Sequence, residues 1–139
     1  EASGRAVTDL AGRGVIAMVE PFLSRRLPDR RVENLLDPDS VIKSITIASG
    51  LGATSAYTWL KLPVAPEMER VLDATTLPTL LLGGDAPGDP SGLYRQWSQA
   101  LQHPAAIGLV AGRTMLYPAD GDTAAAVDIA VSIVHGGGR

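Results

Sequence analysis

The 139-residue chain contains no cysteine, which excludes disulfide bonds, thiolate catalysis and zinc sites with cysteine ligands. It has only two histidines, so no metal site is expected from its composition. No stretch approaches the roughly 20 apolar residues of a membrane-spanning helix. The first residues also lack the charged, apolar and cleavage-site series of a signal peptide. We therefore expect no membrane partner, and the cytoplasm as the default location.

Basic residues are too few for a typical nucleic-acid-binding protein. The chain has 12 basic and 15 acidic residues and a net charge of −3, whereas nucleic-acid-binding domains are usually basic. Hydrophobic residues make up 45% of the chain, which is enough for a folded core. The length fits a single segment, residues 1–139, that forms one domain or part of a larger one. Because residue 1 is Glu, we expect this segment to be a piece of a longer chain.

Four short apolar runs alternate with helical patterns, and this alternation predicts an α/β fold with a parallel sheet. The predicted strands are residues 15–20, 57–62, 79–82 and 107–111. Residues 24–34 are predicted to form a polar loop. Asp37 and Asp122 are the expected N-caps of the helices after the first and fourth strands. Four such units fit either a small open sheet or half of an eight-stranded barrel.

Functional groups of α/β folds gather at the carboxyl ends of the strands. In this sequence those ends carry an acid, a lysine and two glycine turns: Glu20, Lys61, Gly83-Gly84-Asp85 and Gly112-Arg113. The combination of an amine, a carboxylate and two glycine turns suggests a catalytic site for an anionic substrate.

Lys61 is the most specific candidate, because the chain has ten arginines but only two lysines and Lys61 lies in an apolar strand. Strand alternation places Tyr57, Trp59 and Lys61 on one face. Partial desolvation there favours the neutral amine, which can attack a carbonyl and form a Schiff base. The alternative is a strand-end lysine that reaches water or pairs with a glutamate. Glu20 could correspondingly shuttle protons or serve only as the ion partner of Lys61.

The glycine turns could hold a phosphate, because glycine lets backbone N–H groups approach an anion and arginine adds a bidentate fork. Barrel enzymes often bind phosphate after their last two strands. The alternative is that Gly83, Gly84 and Gly112 only allow tight turns. Asp85 could bind a substrate hydroxyl or cap its turn.

The segment Thr58-Trp59-Leu60-Lys61-Leu62-Pro63-Val64 resembles the sixth strand of class I, Schiff-base aldolases of the tagatose-bisphosphate and archaeal fructose-bisphosphate group. Val19-Glu20-Pro21 resembles their fifth strand, and the two glycine turns resemble the phosphate-binding ends of strands seven and eight. Residues 47–114 also resemble an aldolase-like barrel family, often described as deoxyribose-phosphate-aldolase-like, whose genes tend to accompany inositol-catabolism genes. The wider group usually has a serine where this chain has Leu82.

The resemblance implies strands five to eight, the C-terminal half of a (β/α)8 TIM barrel, with the N-terminal half absent from the sequence. It implies a lyase that cleaves or forms a C–C bond in a phosphorylated ketose or keto-sugar acid. Lys61 would form the imine and Glu20 would move protons. The phosphate-binding role would fall to Gly83, Gly84, Asp85, Gly112 and Arg113. Because the imine is the electron sink, the resemblance implies no metal or other cofactor.

A half-barrel leaves faces uncovered, so the expected partner is a second copy of the chain or the other half of the barrel. Two alternatives to the aldolase remain. One is a TIM-barrel isomerase or decarboxylase in which Lys61 acts only as a charge. The other is a small, non-catalytic flavodoxin-like binding module, which would have a sheet whose strand order is not sequential.

Overall fold

The structure is a computed structural model that describes residues 1–83 and 90–136. This part of the chain forms six strands and six helices. The strands are β1 (Ala17–Val19), β2 (Ser24–Arg26), β3 (Val32–Asn34), β4 (Thr58–Leu62), β5 (Thr79–Leu82) and β6 (Ala106–Val110). The helices are α1 (Ala2–Ala11), α2 (Pro38–Ser49), α3 (Met68–Asp73), α4 (Ser91–Ala100), α5 (Arg113–Leu116) and α6 (Thr123–His135).

The main sheet is parallel and contains four strands in the order β1-β4-β5-β6. These strands follow one another in space in the same order as along the chain, and helices connect each pair. The predicted α/β class with a parallel sheet is therefore confirmed. Sequential order is not the arrangement that the flavodoxin-like alternative requires, since that fold reverses its strand order within the sheet.

The two faces of the sheet differ in burial. Along β4, Thr58, Leu60 and Leu62 are buried, whereas Trp59 and Lys61 are only partly buried. This period of two follows from the pleat, which sends successive side chains to opposite faces. The face of Leu60 packs against helices, and the face of Lys61 is open in the described part of the chain.

Two clusters of apolar side chains form the core on the helix-covered face. The first joins α2, β4 and α3 through Val41, Ile45, Ala48, Leu60, Leu62, Ala65 and Val71. The second joins α3, α4, β5 and β6 through Leu72, Leu81, Trp97, Ala100 and Ala106. Trp97 is fully buried, and its indole Nε1 donates a hydrogen bond to the carbonyl oxygen of Leu82, 3.3 Å away. This contact fixes α4 against the carboxyl end of β5.

Local capping sets where two of the helices begin. The Asp37 carboxylate accepts a hydrogen bond from the backbone N–H of Ser40 at 3.0 Å, and Pro38 occupies the first helical position. This bond from the Ser40 backbone lowers the pKa of Asp37 below its usual value. Asp122 accepts an equivalent bond from the backbone N–H of Ala125 at 2.9 Å. Both predicted N-caps are confirmed.

Two sequence-based predictions of secondary structure are wrong in detail. Residues 24–34 form an antiparallel hairpin of β2 and β3, not a loop. Polar cross-strand pairs support the hairpin: Arg25 Nε bonds to Glu33 Oε2 at 2.7 Å, and Ser24 to Asn34 at 2.7 Å. Because both of its faces are exposed, the hairpin has no apolar alternation from which to predict strands.

The first strand is shorter than predicted, because only residues 17–19 pair with β4. The short segment after the last strand contains a one-turn helix, α5, which the sequence pattern did not predict. Among the residues that the structure describes, no helix is both long enough and apolar enough to cross a bilayer.

Candidate functional site

Lys61 and Glu20 meet at the carboxyl edge of the sheet. Lys61 Nζ donates a hydrogen bond to Glu20 Oε2 at 2.9 Å, although the residues are 41 positions apart in sequence. The register of the parallel strands explains the contact, because Met18 pairs with Trp59 and Glu20 therefore lies beside Lys61. The Lys61 side chain is 21% exposed and the Glu20 side chain 41% exposed. The pair is thus accessible from the open face of the sheet.

This geometry is compatible with both interpretations of the two residues. An ion pair at 2.9 Å is what the structural alternative predicts for a lysine beside a glutamate. The same distance also lies within the range over which a carboxylate can exchange a proton with an amine. Partial burial leaves room for a carbonyl carbon to approach Nζ from the open face.

The two strands next to β4 continue the sheet from Lys61 with residues that the sequence analysis did not single out. Leu80 pairs with Lys61 across the sheet, and Gly108 pairs with Leu80 on the next strand. A Cβ atom at Gly108 would lie 3.2 Å from Leu80 Cδ2, so the glycine leaves space for the leucine. The available signal was a single glycine inside a strand pattern, which often marks such a close approach.

Gly83, directly after β5, is constrained by packing. A Cβ atom there would lie 3.0 Å from Ala111 Cβ and 3.2 Å from Ala111 Cα. The buried Thr114 hydroxyl donates a hydrogen bond to the carbonyl oxygen of Gly83 at 3.2 Å and ties together the segments that follow β5 and β6. Packing alone therefore explains the glycine at position 83. Thr114 was not predicted, because its partner is 31 residues away in sequence.

Gly112, separated from the end of β6 by Ala111, is in the opposite situation. It is exposed, and a Cβ atom there would meet no heavy atom within 4 Å among the described residues. Arg113, at the start of α5, is also exposed. Packing in the described part of the chain therefore does not explain the glycine at position 112.

One edge of the sheet therefore collects most of the predicted site. Glu20 follows β1, Lys61 is the penultimate residue of β4, and Gly83 and Gly112-Arg113 come after β5 and β6. All of these positions lie at the carboxyl ends of parallel strands. Gly84 and Asp85 lie outside the described residues. Within residues 1–83 and 90–136, no group of three or more acidic or histidine side chains is placed to hold a metal ion.

Comparison with known proteins identifies relatives of the chain. A family model described as Cgl0159-like matches residues 1–131. The crystal structure of Cgl0159 from Corynebacterium glutamicum is 51% identical, with a TM-score of 0.93, and the match covers 98% of this chain and 45% of that one. The chain thus spans less than half the length of that relative. No curated protein matches the sequence.

Two aldolase structures share the fold at low identity. An archaeal fructose 1,6-bisphosphate aldolase superposes with a TM-score of 0.76 at 19% identity, over 96% of this chain and 50% of that one. A Schiff-base-forming fructose-1,6-bisphosphate aldolase superposes with a TM-score of 0.72 at 20% identity, over 95% and 50% of the two chains. At these identities the likeness concerns the fold alone.

Proposed function

The chain belongs to the Cgl0159-like family, and from this premise we propose that it carries the imine-forming part of a class I aldolase site. The proposed enzyme is a lyase that cleaves or forms a C–C bond in a phosphorylated ketose or keto-sugar acid. One observation carries the proposal: the Lys61 amine and the Glu20 carboxylate lie 2.9 Å apart at the carboxyl edge of a parallel sheet, and both side chains are partly exposed.

In the proposed reaction Glu20 first accepts a proton from the Lys61 ammonium. The neutral amine then attacks the substrate ketone and forms a carbinolamine. Glu20 returns the proton to the departing hydroxyl, water leaves, and an iminium bond joins Nζ to the substrate carbon. Glu20, again a carboxylate, then accepts the proton of the substrate hydroxyl that becomes the aldehyde, while the iminium nitrogen accepts the electron pair of the breaking C–C bond. The aldehyde departs and leaves an enamine, and Glu20 returns the proton to the enamine carbon to restore the iminium. Water later hydrolyses the imine and restores Lys61.

The substrate phosphate is proposed to bind at the ends of β5 and β6. Gly112 supports this role best, because no described residue would crowd a Cβ atom there and Arg113 follows it directly. Gly83 is proposed to have a structural role in the site. Its close packing against Ala111 supports this role, because it holds the segments after β5 and β6 together. The proposal also includes Gly84 and Asp85, which follow Gly83 in the sequence.

We also propose that the four parallel strands correspond to strands five to eight of a (β/α)8 barrel. The sequential strand order supports this, as does the match to about half the length of each aldolase. In this arrangement the open face of β4 lies inside the barrel, and Lys61 points toward the barrel axis. The complete active site then requires the other half of the barrel.

The test is reductive trapping of the imine. The chain is incubated with dihydroxyacetone phosphate and borohydride, alone and with the part of the C. glutamicum protein outside the matched segment, and any adduct is located by peptide mass mapping. We expect an adduct on Lys61 and none on Lys43, which is exposed on α2. Lys61→Met should abolish trapping, and Lys43→Met should not change it. Absence of an adduct from the reconstituted barrel would refute the imine mechanism.

A second candidate function is an isomerase or decarboxylase in which Lys61 remains an ammonium. The ion pair with Glu20 favours it, because the carboxylate stabilises the charged lysine. In that case a ketone phosphate would exchange its α-hydrogen with deuterated water without cleavage or trapping. Mass spectrometry of the recovered ketone phosphate distinguishes the two functions.

A further inference from the structure

The hairpin of β2 and β3 is unusually rich in arginine. Residues 24–34 contain four of the ten arginines of the chain and only two acidic residues, which leaves a net charge of +2 in a chain whose total is −3. The residues of both strands are exposed, so packing in a core does not explain these arginines. We call residues 24–34 the basic hairpin.

Two of the four arginines are neutralised inside the basic hairpin. Across the strands, Arg25 Nε lies 2.7 Å from Glu33 Oε2. In the turn, Arg31 Nε lies 2.6 Å from Asp29 Oδ2. These two pairs use both acidic side chains of the hairpin, so its excess positive charge belongs to the other two arginines.

Arg26 and Arg30 carry this excess charge. Within residues 1–83 and 90–136, no ion pair or hydrogen bond involves either guanidinium group. The cross-strand neighbour of Arg26 is Val32, which is 64% exposed and has no polar side-chain atom. A guanidinium group matches the oxygen atoms of a carboxylate or a phosphate and can bind them through two parallel hydrogen bonds. An anion is therefore the ligand that suits these two side chains.

The backbone at Arg30 gives a second reason to look for a ligand. Its φ is 67°, in the left-handed region. The turn is closed by hydrogen bonds from the Arg30 N–H to the carbonyl oxygen of Leu27 at 2.9 Å and from the Leu27 N–H to the carbonyl oxygen of Arg31 at 2.8 Å. In three-residue hairpin loops of this kind the left-handed position usually holds glycine. The turn itself therefore favours glycine at position 30, and its geometry does not account for an arginine side chain.

The basic hairpin lies at the same edge of the sheet as Lys61. It belongs to the connection between the end of β1 and the start of α2, and such connections lie at the carboxyl edge of a parallel sheet. The base of the hairpin is closed by the Leu35 N–H, which donates to the carbonyl oxygen of Leu23 at 2.8 Å. Because Leu23 is three residues after Glu20, the length of the backbone keeps this base within about 11 Å of Glu20.

The strand order places Lys61 between the basic hairpin and the proposed phosphate site. The hairpin follows β1, Lys61 lies on β4, and Gly112 follows β6, in a sheet with the order β1-β4-β5-β6. At about 4.8 Å between neighbouring strands, β1 and β6 are roughly 14 Å apart across the sheet. A substrate with its phosphate beside β6 and its ketone at Lys61 would therefore extend its remaining carbon atoms toward β1.

We propose that Arg26 and Arg30 bind a second anionic group, at the end of the substrate remote from the phosphate near β6. This group is the carboxylate of a keto-sugar acid or the second phosphate of a ketose bisphosphate, because both present oxygen pairs to a guanidinium group. The inference rests on the lysine and phosphate sites proposed above. It narrows their substrate to a molecule with negative charge at both ends and makes the two arginines determinants of specificity.

The test compares three open-chain six-carbon phosphates that lack a ketone and so bind without forming an imine. Sorbitol 6-phosphate has a neutral second end, 6-phosphogluconate a carboxylate, and mannitol 1,6-bisphosphate a second phosphate. Binding is measured by isothermal titration calorimetry on the chain assembled with the part of the C. glutamicum protein outside the matched segment. We expect at least one doubly charged probe to have a Kd about tenfold or more below that of sorbitol 6-phosphate. The tighter of the two identifies the second group as carboxylate or phosphate.

Two variants assign this gain to the arginines. Arg26→Ala and Arg30→Gly should each raise the Kd of the preferred doubly charged probe by about fivefold or more, and that of sorbitol 6-phosphate by less than about twofold. Arg30→Gly suits the left-handed backbone, so circular dichroism should show a fold at least as stable as that of the unmodified chain. The matched control is Arg5→Ala on α1, which removes the same charge outside the hairpin and should change every Kd by less than about twofold.

Three results would overturn the inference. The first is that neither doubly charged probe binds more tightly than sorbitol 6-phosphate. The second is that Arg26→Ala and Arg30→Gly leave the preference unchanged or weaken all three probes equally. The third is that Arg5→Ala weakens the preferred probe as much, since the effect would then come from the overall charge. The selective losses together with no trapping of Lys61 would support the inference and refute only the imine mechanism.

Discussion

Replacing Gly83 by alanine separates packing from ligand binding at the end of β5. In the folded chain the new Cβ would lie 3.0 Å from Ala111 Cβ and 3.2 Å from Ala111 Cα. Part of this contact is backbone, so a side-chain rotation alone cannot relieve it. The segments after β5 and β6 would have to separate, which would also strain the hydrogen bond from Thr114 to the carbonyl oxygen of Gly83.

Overpacking of this kind typically lowers the free energy of unfolding by about 1–3 kcal/mol. For a chain of this size that corresponds to a fall in Tm of roughly 4–12 °C. Gly112→Ala is the matched control, because its Cβ would enter open space within the described structure. Its stability should stay within about 0.5 kcal/mol of that of the unmodified chain.

Urea denaturation followed by circular dichroism measures both stabilities, and calorimetric titration with inorganic phosphate measures binding. We expect Gly83→Ala to lose stability, and Gly112→Ala to keep its stability but bind phosphate more weakly. A Gly83→Ala variant as stable as the unmodified chain would refute the packing argument. A Gly112→Ala variant with unchanged phosphate binding would remove Gly112 from the proposed phosphate site.

Two further predictions concern the fold. Leu60→Ala should lower the free energy of unfolding by about 2–5 kcal/mol in urea denaturation, because Leu60 is fully buried, whereas Met18→Ala, at an exposed position, should lower it far less. Equal losses would contradict the assignment of buried and open faces. The hydrogen bond from the Ser40 backbone N–H lowers the pKa of Asp37 in the folded chain. The charged cap therefore contributes its full stabilisation at pH values above the usual pKa of 3.8, and this stabilisation is lost as the pH falls through the lower pKa of the folded chain. Asp37→Asn keeps a hydrogen-bond acceptor but cannot titrate. Its free energy of unfolding should be lower than that of the unmodified chain at pH 7, and this difference should shrink in acid. A difference that does not change with pH would argue against the cap.

The correct sequence-based predictions depend on local patterns. Apolar runs followed by helical spacing identified the α/β class, and strand alternation placed Trp59 and Lys61 on one face. Asp37 and Asp122 were identifiable as caps because their partners lie three residues away. Each of these features is set by neighbours within about one helical turn or one strand.

The features that the sequence analysis missed either lack a local pattern or depend on partners that are distant along the chain. The β2–β3 hairpin has polar residues on two exposed faces, so its sequence lacks the alternation that identifies a strand. The close fit of Gly83 against Ala111 depends on the neighbouring chain after β6. The contact between Gly108 and Leu80 depends on a register shift between β5 and β6. Of these, only the contact at Gly108 has a local sign, a single glycine inside a strand pattern, and that sign does not identify Leu80 as the partner.

Local hydrophobic patterns are enough to identify the residue types at the carboxyl ends of the strands, because the strand ends follow from those patterns. The 2.9 Å contact between the amine of Lys61 and the carboxylate of Glu20 follows only from the fold, because that distance depends on the pairing register of β1 and β4. The tertiary structure also decided which face of the sheet is open and which helix flanks each edge. These features come from packing between segments distant along the chain, which no local pattern encodes.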